Sequence, residues 1–409
     1  MKVQVFAIII ATIFISCNHQ STEPSPSPGQ PIVRDLTVLE KSVVSSDNSF
    51  GLKLFSRMNT VEQNKNVFIS PFSVSMALGM ALNGADGSTL DSMKQVLEHS
   101  NCTMQEINES YKNISTILTH LDSKVVFQIA NSIWCRNDFQ VIPAFLNDCH
   151  EYFDAEAASL DFSSPSAVQT INNWVNSKTN GKIPTILDQI PPEVVMYLIN
   201  AIYFKGTWTY QFDPAKTTDA VFTFSAGNTV SCRMMNQKTT YAYHATEQAQ
   251  IIDLPYSNRS FSMTIILPKE GINIDQFAAE LTRQQWDTFV NSLDSTEVDL
   301  SMPKFKVEYE KTLNDELSAM GMEIAFSDFA NFSRIAHASL AISEVKHKTF
   351  VDVDEEGTEA AAVTSVGITL TAMPLIPSMH VDRPFIFAIR EHQSGTILFI
   401  GKIVNPVAL

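Results

Sequence analysis

The chain of 409 residues is 44% hydrophobic and 18% charged, a balance that supports a large packed core and excludes extensive disorder. Its 28 basic and 44 acidic residues give a formal net charge of -16, which argues against nucleic acid as the main partner. The five cysteines have no paired CxxC spacing, so the sequence predicts neither a zinc site nor a disulfide framework.

The first residues have the pattern of an export signal. Residues 1–16 contain one early lysine and then an apolar run too short to span a bilayer, which predicts a signal peptide. The residues before Cys17 resemble the lipobox of bacterial lipoproteins, although Phe14 stands where leucine is usual. We therefore predict lipidation of Cys17, a Pro/Ser-rich linker over residues 17–45, and a lipoprotein of a bacterial outer membrane or cell surface. The alternative is a plain signal peptide with a chance cysteine and a secreted soluble protein.

After the linker, apolar spacing and capping residues predict helices first and strands later. Helices are predicted over 48–58, from Pro71 to a stop at Gly84 and Gly87, and over 105–121 and 166–178. Strands are predicted over 125–134, 194–208, 298–309 and 340–353, with hairpins over 251–267 and 384–403. This order, with no internal repeat, favours an α+β fold in one domain over residues 46–409.

The segment from Asp354 to Pro377 has features of both a loop and a strand. Every second residue from Thr358 to Ile368 is small or apolar, which is the period of a strand with one buried face. The acidic residues and the glycine before this run, and the prolines after it, are typical of loops instead. Two interpretations are open at this point: an ordinary edge strand, or an exposed loop that can later be inserted into a sheet.

Four stretches together resemble the serpin family, and the resemblance covers residues 46–409. They are NVFISPFS at 66–73, NAIYFKGTW at 200–208, DEEGTEAAA at 354–362 and DRPFIF at 382–387. The resemblance implies a large central mixed β-sheet, two smaller sheets, about nine helices and an exposed reactive-centre loop over residues 355–380.

The resemblance also implies a function. Serpins are suicide-substrate inhibitors of serine endopeptidases: the protease cleaves the loop, is trapped as a covalent acyl complex, and the loop inserts into the central sheet. We therefore expect a monomer that is not an enzyme and uses no metal or cofactor, with a target serine protease as its partner. The alternative is a non-inhibitory serpin that acts as a binding or carrier protein. A hydrolase is disfavoured because the chain has no GxSxG or HExxH motif.

Two groups of residues are expected by resemblance to control insertion. The hinge, where insertion begins, comprises Glu355, Gly357, Thr358, Glu359, Ala360, Ala361, Ala362 and Val363. The shutter and breach, which lie beneath and at the top of the central sheet, comprise Ser70, Ser73, Asn200, His347, Lys304 and Trp208. Glu355 is expected to pair with Lys304. Inward hinge side chains must be small or apolar because an unpaired charge buried there would cost several kcal/mol.

Counting residues from the hinge and counting back from Pro384 give different positions for the reactive bond. Counting from the hinge gives Thr371-Ala372, whereas family spacing from Pro384 gives Met373, so Leu370 and Met373 are the alternatives. The hinge count is preferred because insertion length decides where the protease is carried. No Lys or Arg lies between Lys348 and Arg383, which favours elastase-, subtilisin- or chymotrypsin-like targets, with some cysteine proteases as a further option.

Overall fold

The structure is a computed structural model that describes residues 34–224, 227–358 and 376–407. Several predicted features lie outside the described residues: the signal peptide, Cys17, the linker up to residue 33, the hinge residues Glu359 to Val363, and the reactive-bond residues Leu370 to Met373. Across the described ranges, no helix combines the length and apolar character that a membrane span requires.

The described residues contain nine α-helices. They are α1 Val38–Val61, α2 Pro71–Gly84, α3 Gly87–Val96, α4 Met104–His120, α5 Pro143–Phe153, α6 Pro165–Lys178, α7 Ile274–Ala279, α8 Arg283–Asn291 and α9 Asn314–Leu317. A capping box between Thr37 and Glu40 starts α1, since each side chain bonds the backbone N–H of the other residue. Helix α1 therefore begins within the predicted linker of residues 17–45.

Helix α2 begins where its capping residues predict. The Ser70 hydroxyl accepts a hydrogen bond from the Ser73 N–H, and Pro71 occupies the first turn. The helix ends at Gly84, where a Cβ atom would lie 2.1 Å from Cγ1 of Ile335. The prediction that Gly87 also ends this helix is wrong, because Gly87, with a φ of +54°, begins α3 instead.

Fifteen strands occur in the same residues. They are β1 Val67–Ile69, β2 Val126–Arg136, β3 Ala155–Leu160, β4 Met196–Thr207, β5 Thr218–Phe224, β6 Asn228–Ala245, β7 Ala249–Tyr256, β8 Phe261–Pro268, β9 Asp294–Pro303, β10 Phe305–Thr312, β11 Lys346–Val353, β12 Gly357–Thr358, β13 Ser378–His380, β14 Phe385–Glu391 and β15 Ile397–Ile403. The predicted reactive loop, 355–380, is therefore a strand at both ends. The predicted strand 340–353 forms only from Lys346.

Six strands form a mixed sheet, and its strand β12 contains the hinge residues Gly357 and Thr358. Their order is β10-β11-β12-β4-β2-β3, with β2 and β3 parallel and the other pairs antiparallel. The other strands form one nine-stranded sheet rather than two separate smaller ones. The cause is the 18-residue strand β6, which pairs with β5 over its first part, with β9 over its second part and with β7 at its end. Strands that could have formed two separate sheets are therefore joined through β6.

The predicted strand 298–309 is two strands in different sheets. β9 ends at Pro303, which has no N–H to donate to a ladder, and the Lys304 N–H bonds to the Arg233 carbonyl at 2.8 Å. β10 then begins at Phe305 in the six-stranded sheet. The break places Lys304 at the junction of the two sheets, next to the hinge.

Two apolar cores cover opposite faces of the six-stranded sheet. The inner face packs on α2 and the nine-stranded sheet, and includes Ile202 and Phe204 of β4. The outer face of β2 and β4 packs on α6, with Ile171 and Val175 against Tyr197 and its neighbours. The alternation of β4 between these faces fixes which residues of a neighbouring strand would point inward.

Candidate functional site

The hinge begins inside the six-stranded sheet. Thr358 is paired with Val353 of β11 on one side and with Gly206 of β4 on the other, and Gly357 is paired with Thr207. Among the described residues, β12 is the only strand that joins β4 to β11. A strand of two residues therefore occupies the top of the gap between β4 and β11, and no other described strand pairs with the sides of β4 and β11 that face this gap.

Gly357 is required at this position by its backbone. Its φ of +154° is rarely adopted by residues with a side chain, and a Cβ atom there would lie 2.1 Å from the Gly206 carbonyl oxygen. The tight turn from Asp354 to Gly357, closed by the bond from the Asp354 N–H to the Gly357 carbonyl at 3.0 Å, directs the chain back into the sheet.

Thr358 is 3% exposed and points to the inner face of the sheet. Its hydroxyl lies 2.7 Å from the hydroxyl of Tyr256, whose ring stacks on Trp208 with a centroid separation of 4.5 Å. Trp208 Nε1 donates to the Asp354 carbonyl at 2.9 Å, and the Trp208 N–H donates to the Glu356 carbonyl. Trp208 thus holds the hinge turn. Tyr256, which the sequence presents only as a hairpin residue, supports Thr358.

Glu355 contacts the partner expected by resemblance. Its Oε2 lies 2.6 Å from Lys304 Nζ, and its Oε1 accepts a hydrogen bond from the Thr217 hydroxyl at 2.7 Å. Burial raises the pKa of the Glu355 carboxyl, but the bonds from Lys304 and Thr217 outweigh it and the pKa lies below its ordinary value. The ion pair is partly exposed, so its role in holding the hinge stays a prediction.

The shutter residues form one chain of hydrogen bonds beneath the sheet. The Ser70 N–H donates to Nε2 of His347 at 3.0 Å, and the Ser70 hydroxyl donates to the Leu398 carbonyl. The Ser73 hydroxyl bonds Oδ1 of Asn200, whose Nδ2 donates to Oδ1 of Asn131 at 2.7 Å. The network connects α2 with β4 and β11, the two strands that flank the gap. Asn131, on β2, extends it and was not anticipated from the sequence.

His347 is held neutral by this arrangement. Burial lowers its pKa from 6.5 to about 4, and the lone pair on Nε2 must remain free to accept the Ser70 N–H. The unfolded chain binds a proton at His347 below about pH 6.5, whereas the folded chain does not until about pH 4. The stability that this residue contributes is therefore complete above pH 6.5 and is lost as the pH falls towards 4.

We expect the His347→Gln variant to lose this pH dependence. Between pH 7 and pH 4 the wild-type protein should lose roughly 3 kcal/mol of unfolding free energy through His347, because each pKa unit corresponds to about 1.4 kcal/mol. The glutamine carbonyl can still accept the Ser70 N–H but does not titrate. Urea unfolding at both pH values measures the difference. The variant His337→Gln, at an exposed position, is the control and should behave like wild type. Equal pH dependence in both variants would contradict the assignment.

Below Thr358 the gap between β4 and β11 contains two cavities, and we call this gap the slot. A small cavity of about 20 Å³ lies directly beneath Thr358, between Tyr203 of β4 and Phe350 of β11. A larger cavity of about 470 Å³ lies farther down, between residues 193–200 and 340–348. The slot therefore runs along both strands, from the hinge to the shutter.

The described residues offer no group of His, Cys, Asp and Glu side chains arranged to hold a metal ion. The four described cysteines are free thiols, and burial raises the pKa of the Cys135 thiol to about 11. What the site provides is a two-residue strand paired between β4 and β11, cavities along the gap below it, and a polar network beneath the sheet.

Comparison with known proteins gives the family. The family model for Serpin (serine protease inhibitor) matches residues 45–406. The chain is 34% identical over 377 residues to leukocyte elastase inhibitor of Homo sapiens, covering 88% of this chain and 99% of that protein. The crystal structure of the thermophilic serpin Tengpin in its native state has a TM-score of 0.82 and 37% identity, covering 91% of this chain and 96% of that one.

Human thyroxine-binding globulin has the same fold, with a TM-score of 0.83 and 31% identity over 90% of this chain and 100% of that one. The architecture described above is therefore the serpin fold. The chain belongs to the serpin family, a family of protease inhibitors rather than of catalysts.

Proposed function

We propose that this protein is a suicide-substrate inhibitor of serine endopeptidases that acts by inserting its cleaved loop into the slot. The observation that carries the proposal is the position of Gly357 and Thr358, which are already paired between β11 and β4. Further insertion needs no new register, because each following residue would extend an existing ladder.

If insertion continued the register of Gly357 and Thr358, each following residue would take a defined position between β4 and β11. Continuing it one residue at a time would put Ile368 opposite Met196, the first residue of β4. Because Thr358 points inward, residues 360, 362, 364, 366 and 368 would also point inward. Each is small or apolar in the sequence, and none carries a charge that the core would have to bury. The side-chain character of these positions therefore supports the proposed insertion.

The same register supports Thr371-Ala372 as the bond that is cut. Thr371 would lie just beyond Met196, so a protease attached to its carbonyl would sit at the far end of the sheet. We propose an elastase-like target in particular, since the chain lacks a basic residue between Lys348 and Arg383 and a relative of 34% identity is named leukocyte elastase inhibitor.

Mixing the protein with an elastase tests both parts of the proposal. We expect an SDS-stable covalent complex and a released C-terminal peptide that begins at Ala372. Mass spectrometry of that peptide identifies the bond, and a peptide that starts outside residues 371–374 would contradict the assignment. Subtilisin, chymotrypsin and a papain-type cysteine protease form the comparison panel, with trypsin as the control that should not be inhibited.

A second candidate function is non-inhibitory binding, which the likeness to human thyroxine-binding globulin supports. In that case proteases would cleave the loop without forming a complex. The inward residues listed above favour inhibition, because they leave insertion unobstructed.

We also propose that residues 1–16 direct export and that Cys17 carries a lipid anchor. The proposal rests on the short apolar run and on the Pro/Ser-rich segment after Cys17. Mass spectrometry of the N-terminal peptide tests it, and an unmodified Cys17 in the membrane fraction of the producing cell would contradict it.

A further inference from the structure

Two ammonium groups lie over the aromatic ring of Phe350 on the outer side of the slot. Lys182 Nζ is 5.0 Å from the ring centroid and Lys306 Nζ is 5.3 Å from it, both within the range of a cation–π interaction. The two lysines lie on different sides of the slot. Lys306 belongs to β10, the strand next to Phe350, whereas Lys182 comes from the far side of the slot.

Lys182 is fixed to the β4 side of the slot by the end of α6. Its N–H donates to the Thr179 carbonyl at 3.0 Å, and the next N–H, of Ile183, donates to the Thr179 hydroxyl at 3.1 Å. Ile183 is buried in the core that α6 shares with β2 and β4. The contact between Lys182 and Phe350 therefore links the two sides of the slot.

This contact lies on the path of an inserting strand. Lys182, Thr179, Tyr203 and Phe350 all line the small cavity beneath Thr358. In the register of β12, residue 361 would come between Tyr203 and Phe350, with its side chain on the outer face towards Lys182. Residue 361 is an alanine, the kind of side chain that needs least space there.

We propose that Lys182 and Phe350 form a latch across the slot that limits the rate of loop insertion. The proposal rests on the proposed function, since it concerns a step of that mechanism. The ammonium and the ring must separate, or shift together, before residue 361 can pass between Tyr203 and Phe350. Losing their attraction lowers this barrier, whereas losing the attraction between Lys306 and the same ring does not, because both of those groups lie on one side.

The variant Lys182→Met tests the latch, since it keeps most of the side-chain length and removes the charge. A fluorophore on a Ser365→Cys substitution, in a full-length chain with Cys17 and Cys102 replaced by serine, reports insertion in a stopped-flow mixture with excess elastase. We expect insertion roughly three- to ten-fold faster than in the labelled parent, the range that a cation–π interaction at a partly exposed site implies. Phe350→Leu should act alike, and the double variant should add little to either single change.

Two matched controls separate the latch from a general effect of charge. Lys306→Met removes a cation from the same ring, and Lys178→Met removes a cation from α6 whose contacts, with Trp174 and Glu156, stay on one side of the slot. Neither control should change the insertion rate by more than about 1.5-fold, which is well below the roughly three- to ten-fold change expected when the latch is lost. An unchanged rate in Lys182→Met, or equal acceleration in Lys306→Met, would overturn the proposal.

Hydrogen exchange without any protease distinguishes failure of the latch from failure of the proposed function. Residues 179–183 and 346–353 should exchange faster in Lys182→Met than in wild type, and at the wild-type rate in Lys306→Met. If the wild-type loop is cleaved but never inserts, the proposed function is wrong. In that case hydrogen exchange alone tests whether Lys182 and Phe350 hold the two sides of the slot together, and identical exchange in wild type and Lys182→Met would refute the latch.

Discussion

Replacing Thr358 with arginine should abolish inhibition and turn the protein into an ordinary substrate. Thr358 is 3% exposed, points to the inner face of the sheet and bonds the Tyr256 hydroxyl at 2.7 Å. A guanidinium at this position would be buried without a partner at a cost of several kcal/mol, and each 1.4 kcal/mol slows a step tenfold. We therefore expect loop insertion, and with it the yield of SDS-stable complex with elastase, to fall by at least about 100-fold.

The matched variants are Thr358→Val and Glu359→Arg. The valine keeps the shape of threonine and loses only the hydrogen bond to Tyr256, so its complex yield should stay close to wild type. In an inserted strand residue 359 would face the opposite way from residue 358, so the same arginine there should be tolerated much better. Wild-type complex formation by Thr358→Arg would show that insertion does not require residue 358 to stay paired between β4 and β11.

Cleavage of the loop should raise the melting temperature by on the order of 20 °C. A strand inserted between β4 and β11 would add roughly ten residues of two-sided hydrogen bonding, at about 0.5–1.5 kcal/mol for each bond, and would bury the apolar residues that follow Thr358. The uncleaved protein would then be held short of its most stable state by the slow insertion of an intact loop.

The measurement is calorimetry of the intact and the cleaved protein, after cleavage at the Thr371-Ala372 bond has been verified by mass spectrometry. The cleaved Thr358→Arg variant is the control, because its loop should be cut and should not insert. A melting temperature that does not change when the wild-type loop is cut would contradict the strand-insertion mechanism.

Local chemistry made much of the fold and site predictable. Ser70 and Pro71 define the start of α2 by capping, and the two-residue period from Thr358 onward identifies a strand with one buried face. These signals act over a few residues and need no knowledge of the rest of the chain. The same is true of the lack of basic residues around the proposed reactive bond, on which the proposed class of target protease rests.

Where local signals were incomplete, packing decided the structure. Residues 298–309 alternate like one strand, yet Pro303 and Lys304 divide them between two sheets. In the same way, the capping box at Thr37 starts α1 ahead of residue 46, the predicted start of the domain.

The sequence by itself determined the run of small and apolar side chains at every second position from Thr358 to Ile368, on which the proposed insertion depends. Only the tertiary structure decided how far entry has gone, with Gly357 and Thr358 already paired and the slot below them unfilled by any described strand. It also decided that Tyr256 supports the first inserted residue and that Lys182 reaches across the slot to Phe350. These pairs join residues more than a hundred positions apart, and their contacts exist only because the packed cores on the two faces of the sheet hold the strands in one register.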